Sequence, residues 1–279
     1  MAKEATKQGS APRLEAEKQS ARDQWGEDPC GEVYARDLEF GTREFFDEVE
    51  RHRYQEYAPW MPEVMGFNEF RGARLLEIGC GMGTDLLQFA RGGARVTGAD
   101  LTPRSVEISR ARFRLYDMPA SFVITDGERL PFADESFDVV YSNGVLHHTP
   151  GTDVAIREAH RVLRPGGTAK VMLYHRNSLA YWGELFFRRG VLGGELLRGR
   201  SMSEVMSKWV EISSTDARPL VKVYSRREAR DLFHMFAEVK TEVEQITRPE
   251  LRFLKHIPES LFLRLRRSVG WNVIITAKK

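Results

Sequence analysis

The sequence predicts an α/β protein: a doubly wound, mostly parallel sheet whose last strand runs antiparallel. Three observations predict it. From Ala73 onward, short apolar runs alternate with helix-like stretches, the pattern of a parallel sheet covered on both faces. A Gly-rich turn, Gly79 to Gly83, joins the first run to the first helix. The closing run Trp271–Ala277 follows Val239–Ile246 closely enough to pair with it antiparallel.

The strands expected are Arg74–Ile78, Arg95–Ala99, Ser121–Thr125, Phe137–Ser142 and Thr168–Tyr174. Helices are expected between them at Thr84–Arg91, Pro103–Tyr116 and Thr152–Leu163. Pro103 suits the first turn of its helix, and Pro165-Gly166-Gly167 stops the helix before it. The chain divides into a flexible tail (1–22), which reads as frayed or as a solvated helix, a helical cover (23–70), a core (71–175), an insert (176–224) and a C-terminal part of the sheet (225–279). Sheets of this kind bind ligands at the carboxyl ends of their strands, where both flanking segments can fold over.

With 42% hydrophobic and 29% charged residues, the composition is that of an ordinary globular protein. Two cysteines, Cys30 and Cys80, imply no disulfide framework, and a cytoplasmic setting is expected. No apolar run approaches the roughly 20 residues that span a bilayer, and Met1 to Arg22 lacks the apolar core of a signal peptide. Net charge is +2, unevenly spread: residues 185–279 hold 19 Lys and Arg against 11 Asp and Glu. No dense basic block exists, so this excess reads as scattered solvated charge.

The chemistry lies at the strand ends. In Glu77-Ile78-Gly79-Cys80-Gly81-Met82-Gly83, glycines let the backbone approach a ligand and aim helix amides at anionic groups. The spacing G-x-G-x-G differs from the G-x-G-x-x-G of dinucleotide enzymes, which weakens a nicotinamide reading. Cys80 reads as a small packed residue of this turn rather than a nucleophile. The second strand leads to Asp100-Leu101-Thr102, where an acid can accept bonds from both ribose hydroxyls. After the third strand, Asp126-Gly127 offers a carboxylate for the exocyclic amine of adenine, with Leu130 or a neighbour on the ring. The fourth ends at Ser142-Asn143.

With Leu163-Arg164-Pro165-Gly166-Gly167, these runs make the span Leu75–Tyr174 resemble the class I S-adenosylmethionine-dependent methyltransferases, in their small-molecule branch. The resemblance implies the Rossmann-like fold of that family, with seven strands and the seventh antiparallel, and S-adenosyl-L-methionine as cofactor. It implies that Gly79, Gly81 and Gly83 wrap the methionine part, Asp100 the ribose and Asp126 the adenine, with Glu77, Cys80, Leu101, Thr102 and Gly127 also at the cofactor. Ser142 and Asn143 then face the reacting centre. No metal is called for.

The implied reaction is an in-line displacement that moves a methyl group to a small, partly hydrophobic acceptor. Positioning supplies most of the rate. A base is needed only where the acceptor carries a proton. His147 and His148 are base candidates just past the fourth strand, with packing of one ring under the cofactor as the other reading, and His175 is a further candidate. Trp25 and Tyr54, from the cover, and Tyr181 and Trp182, from the insert, are expected at the substrate. The insert reads first as a lid; its aromatic run before Arg188-Arg189 also allows weak contact with a membrane surface. A nucleic-acid substrate is not expected, because no Asn-Pro-Pro-Tyr-type motif follows the fourth strand. A protein or peptide methyltransferase, an NAD-type oxidoreductase and a cofactor-binding pseudoenzyme remain as alternatives.

Overall fold

A computed structural model describes residues 2–210, 217–246 and 257–279, without the side chains of 2–12. The strands are β1 (Arg74–Ile78), β2 (Arg95–Asp100), β3 (Ser121–Ile124), β4 (Phe137–Asn143), β5 (Leu163–Tyr174), β6 (Glu238–Glu244) and β7 (Asn272–Lys278). Helices follow in chain order: α1 (Ala2–Glu27), α2 (Arg43–Arg51), α3 (Met61–Met65), α4 (Thr84–Arg91), α5 (Pro103–Leu115), α6 (Thr152–Val162), α7 (Met202–Trp209), α8 (Arg226–Leu232) and α9 (Glu259–Val269). Two wider π-helices, His52–Tyr57 and Ala180–Leu192, lie in the cover and the insert.

The strands form one seven-stranded sheet in the order β3-β2-β1-β4-β5-β7-β6. β1 pairs in parallel with β2 and β4, and β7 pairs antiparallel with β5 and β6; the parallel run and the antiparallel β6–β7 pair are those the sequence predicts. Alternation along each strand builds two cores. Leu76, Val140, Val171 and Ile275 face one, with Ile156 of α6 and Ala229 of α8. Their neighbours Leu75, Val139, Met172 and Ile274 face the other, with Leu86, Leu87 and Phe89 of α4. Because both faces are buried, these strands read as continuous apolar runs.

Ends differ from expectation by one or two residues, except at β5, which begins at Leu163 because the Pro-Gly-Gly run is extended beside β4 with a register shift at Phe137/Val139. Of the two readings of residues 1–22, a frayed tail or a solvated helix, the structure has the helix. One helix, α1, runs through that boundary to Glu27, and Lys18 anchors it to Asp126 and Glu128 at 2.6 and 2.7 Å. Among the described residues, no helix is long and apolar enough to cross a membrane. Strand order reverses between β1 and β4, so a crevice opens outside their carboxyl ends.

Candidate active site

That crevice is a cleft of about 400 Å³ floored by the ends of β1, β2, β4 and β5. Its first wall is the glycine turn. Gly79 and Cys80 donate their N–H groups to the Ala99 carbonyl at 2.7 and 3.1 Å, which binds the turn to β2. Gly79 and Gly81 both have positive φ, 78° and 52°, for different reasons. A Cβ at Gly79 would lie 2.3 Å from a Val145 methyl, whereas one at Gly81 would meet nothing within 4 Å. Gly79 is therefore small for packing, and Gly81 presents bare backbone to the cleft. Gly83 faces Ser109 and Phe113 of α5 and does not line the cleft.

Asp100 locks the turn. One of its oxygens accepts from Gly81 N at 2.9 Å and the other from the N–H and hydroxyl of Thr102, at 2.9 and 3.0 Å. Burial raises its pKa despite these bonds. Thr102 also caps α5, so its hydroxyl is committed to the frame. Leu101, Asp126 and Gly127 line the cleft. Asp126 accepts from Lys18 and from Glu128 N (2.9 Å), so α1 closes the cleft at that point. Leu130 lies in the core instead, packed with residues of α6. Burial, and then the Asp100 charge, push the Cys80 thiol well above its ordinary pKa, in keeping with a packed residue.

Sequence reasoning missed the polar centre of the cleft, Asp85, in the first turn of α4. Arg53 grips it with two bonds, at 2.7 and 2.8 Å; the Tyr54 and Tyr141 hydroxyls donate at 2.6 and 2.8 Å, and Asn143 Nδ2 at 3.1 Å. Burial opposes its ionisation, but Arg53 and the two tyrosines outweigh burial and lower its pKa. The only sequence signal was an acid two residues past the last glycine. Tyr54, expected at the substrate, does not line the cleft and acts through Asp85. Beside them, burial and then the Asp85 charge raise the Glu77 pKa well above the carboxylate range. Glu77 Oε2 and Asn143 Oδ1 are buried without partners and belong to residues that line the cleft. Ser142 is corrected: it does not line the cleft, and its hydroxyl is buried against the Ile78 carbonyl at 2.8 Å.

The opposite wall is aromatic. Trp25 lies 4.8 Å from His148, His148 meets Tyr174 edge-on at 5.8 Å, and Tyr174 stacks on Trp271 at 4.5 Å (ring centroids). All four line the cleft, as does Asn272, whose Oδ1 is buried without a partner. The three histidines separate here. His148 lies 2.7 Å from the Leu220 carbonyl through Nδ1, which must donate, so a neutral ring carries its lone pair on Nε2. His147 packs behind it, 3.8 Å from the Tyr174 ring, with neither nitrogen partnered. Burial first, then His148 and Lys222, push its pKa well below the usual value. His175 is held at 3.0 Å from the Gly270 carbonyl, away from the cleft. Neither His147 nor His175 reaches the cleft as a base. Tyr181 and Trp182 are likewise absent from its lining, and Val210 alone represents the insert there among the described residues. Residues 211–216 of the insert lie outside the described residues.

Residues 76–171 match the family model of the methyltransferase domain. A 27-O-demethylrifamycin SV methyltransferase of Amycolatopsis mediterranei (strain S699) is 44% identical over 101 residues, 34% of this chain and 36% of that protein. Phthiotriol/phenolphthiotriol dimycocerosates methyltransferase 1 of Mycobacterium ulcerans (strain Agy99) is 33% identical over 189 residues, 64% of each. The matched stretch spans from 36% to 64% of the length of such curated relatives. An S-adenosylmethionine-dependent methyltransferase from Mesorhizobium loti superposes with a TM-score of 0.55 at 19% identity, over 80% of this chain and 99% of that one, and so shares the fold.

Proposed function

We propose, on the premise that residues 76–171 are a class I S-adenosylmethionine-dependent methyltransferase domain, that the chain methylates a small, partly hydrophobic acceptor. The carrying observation is that Gly81 opens onto the same cleft that Asp100, Asp85 and Arg53 line, at the point where strand order reverses. When bound there, S-adenosylmethionine supplies a methyl group activated on a sulfonium. Asp100 suits the ribose hydroxyls. Arg53, fixed by Asp85, suits a carboxylate, and the unpartnered oxygens of Glu77 and Asn143 suit an ammonium. Asp126 reaches an adenine amine only if Lys18 shares it.

The acceptor then meets the aromatic wall. Trp25, Tyr174 and Trp271 favour an apolar, flat surface, the Asn272 amide offers one polar anchor, and His148 Nε2 can take a proton as the new bond forms. The relatives named above carry a demethylrifamycin and a phthiotriol in their names, which supports a small acceptor over a protein.

Calorimetry with S-adenosylhomocysteine and with NAD tests the donor half. The adenosyl ligand is expected to bind, and Gly81→Val to weaken it about 100-fold, or ~2.8 kcal/mol, by filling the open face. Tight NAD binding with no response to S-adenosylhomocysteine would overturn the reading. Transfer of label from the cofactor methyl to hydroxylated aromatic compounds, rather than to protein, tests the acceptor half.

A further inference from the structure

The insert carries an apolar face that turns away from the cleft. In the π-helix Ala180–Leu192 the buried residues are Leu185 and Gly190, five apart, as a wide helix requires of one face. The opposite face is spaced the same way: Trp182, Phe187 and Leu192 are 50%, 54% and 69% exposed. Leu197, just beyond, is 85% exposed. A surface helix ordinarily buries its apolar stripe; here the aromatic and aliphatic stripe faces out.

The charges around it are unbalanced. Between Leu179 and Trp209 stand Arg188, Arg189, Arg198, Arg200 and Lys208 against Glu184, Glu195 and Glu204. Glu184 is shared by Arg188 and Arg189, and Glu195 by Arg200 and Lys208. Glu204 is committed to capping α7 at Ser201. Arg198, next to Leu197, bonds only to the Gly193 carbonyl and has no carboxylate partner among the described residues. Exposed Trp, Phe and Leu in a segment with surplus positive charge, with Arg198 beside Leu197, match the boundary between acyl chains and anionic headgroups.

We propose that this face docks the protein on an anionic lipid bilayer, with Trp182, Phe187, Leu192 and Leu197 entering the interface and Arg198 meeting headgroup phosphate. The proposal stands independently of the acceptor, because none of these residues lines the cleft.

Co-sedimentation of the full chain with vesicles tests it, using phosphatidylcholine alone and equal parts phosphatidylcholine and phosphatidylglycerol. The chain is expected to sediment with the mixed vesicles, far less with phosphatidylcholine alone, and less as salt rises. The combined variant Trp182→Ser, Phe187→Ser, Leu192→Ser should lose at least about tenfold in partitioning, with its unfolding temperature checked in parallel. Arg198→Glu, which changes an exposed side chain and gives up one bond to the Gly193 carbonyl, should weaken binding several-fold and serves if the triple variant unfolds. The proposal is overturned if the wild-type chain ignores anionic vesicles, or if Arg198→Glu and the triple variant both bind as well as it does. It is also overturned if light scattering shows a wild-type dimer that the triple variant breaks while vesicles remain unbound, since a second copy then covers the face.

Discussion

On the proposed function the cleft has a donor end and an acceptor end, and the two are built by opposite means. The donor end is made of backbone and fixed charge: Gly81, Asp85 and Asp100 come from consecutive strand-turn-helix units, and both of these aspartates are already hydrogen-bonded. The acceptor end is made of side-chain surface gathered from α1, the loop after β4, the end of β5 and the start of β7, with an imidazole and an amide among its polar groups. An end that must recognise one fixed cofactor can be locked by local geometry. An end that decides which acceptor enters is set by distant parts of the chain. The two should therefore fail differently when altered.

The largest expected effect is at the acceptor end. His148→Gln removes the basic lone pair and is expected to lower kcat by about 10²–10⁴-fold for an acceptor that must lose a proton. The affinity for S-adenosylhomocysteine should stay near wild type, since the imidazole belongs to the far wall. Steady-state rates across pH and calorimetry together check this. A full rate with an unchanged pH profile would show that the acceptor needs no base, and a matching loss of cofactor affinity would erase the distinction between the two ends.

At the donor end the corresponding change should damage stability first. Asp85→Ala leaves the Arg53 guanidinium without its carboxylate and strips the Tyr54 and Tyr141 hydroxyls of their acceptor. Breaking a buried pair from one side costs about 3–5 kcal/mol. Chemical unfolding measures it. Because Asp85 has a lowered pKa in the fold, its contribution is present above its unfolded pKa of about 3.9 and is lost as pH falls below it. The stability difference between wild type and Asp85→Ala should thus shrink only in strong acid. A cost under about 1 kcal/mol would mean that Arg53 finds another partner.

The same contrast explains what could be read in advance. The strands and their directions, and the gathering of the glycine turn, Asp100 and Asp126 at one cleft, were legible because they depend on short-range pattern: apolar runs, turn residues and spacing along one chain segment. Even there, Gly83 and Ser142 face the frame rather than the cleft, since one position of a strand or turn decides which way a side chain points. Asp85 was not legible because its importance lies in four partners, of which Arg53 and Tyr54 come from the cover and Tyr141 and Asn143 from β4. The aromatic wall brings Trp25 to His148 and Trp271 to Tyr174 across long sequence separations. Tyr181 and Trp182 misled for the converse reason: aromatic content marks an apolar face without saying whether it turns in or out.

The smallest effect separates the neighbouring histidines and sharpens what the acceptor wall is. His147 is buried with both nitrogens unpartnered, against the His148 and Tyr174 rings, with Lys222 as the nearby cation. Protonating it would place a second charge in that wall, so the folded chain keeps it neutral and its pKa falls. A histidine with a lowered folded pKa is protonated first in the unfolded chain. Between the unfolded value of about 6.5 and the lower folded value, unfolding takes up a proton, and stability falls as pH falls. One such group changes the slope by at most ~1.4 kcal/mol per pH unit. His147→Leu removes that proton uptake and keeps an apolar side chain behind the wall. Its unfolding free energy should therefore lose less than that of wild type between about pH 6.5 and 5, while the two run parallel above neutrality. Parallel curves throughout would mean that His147 gains a hydrogen-bond partner or a proton in the folded chain, and the wall would then hold two polar imidazoles rather than one.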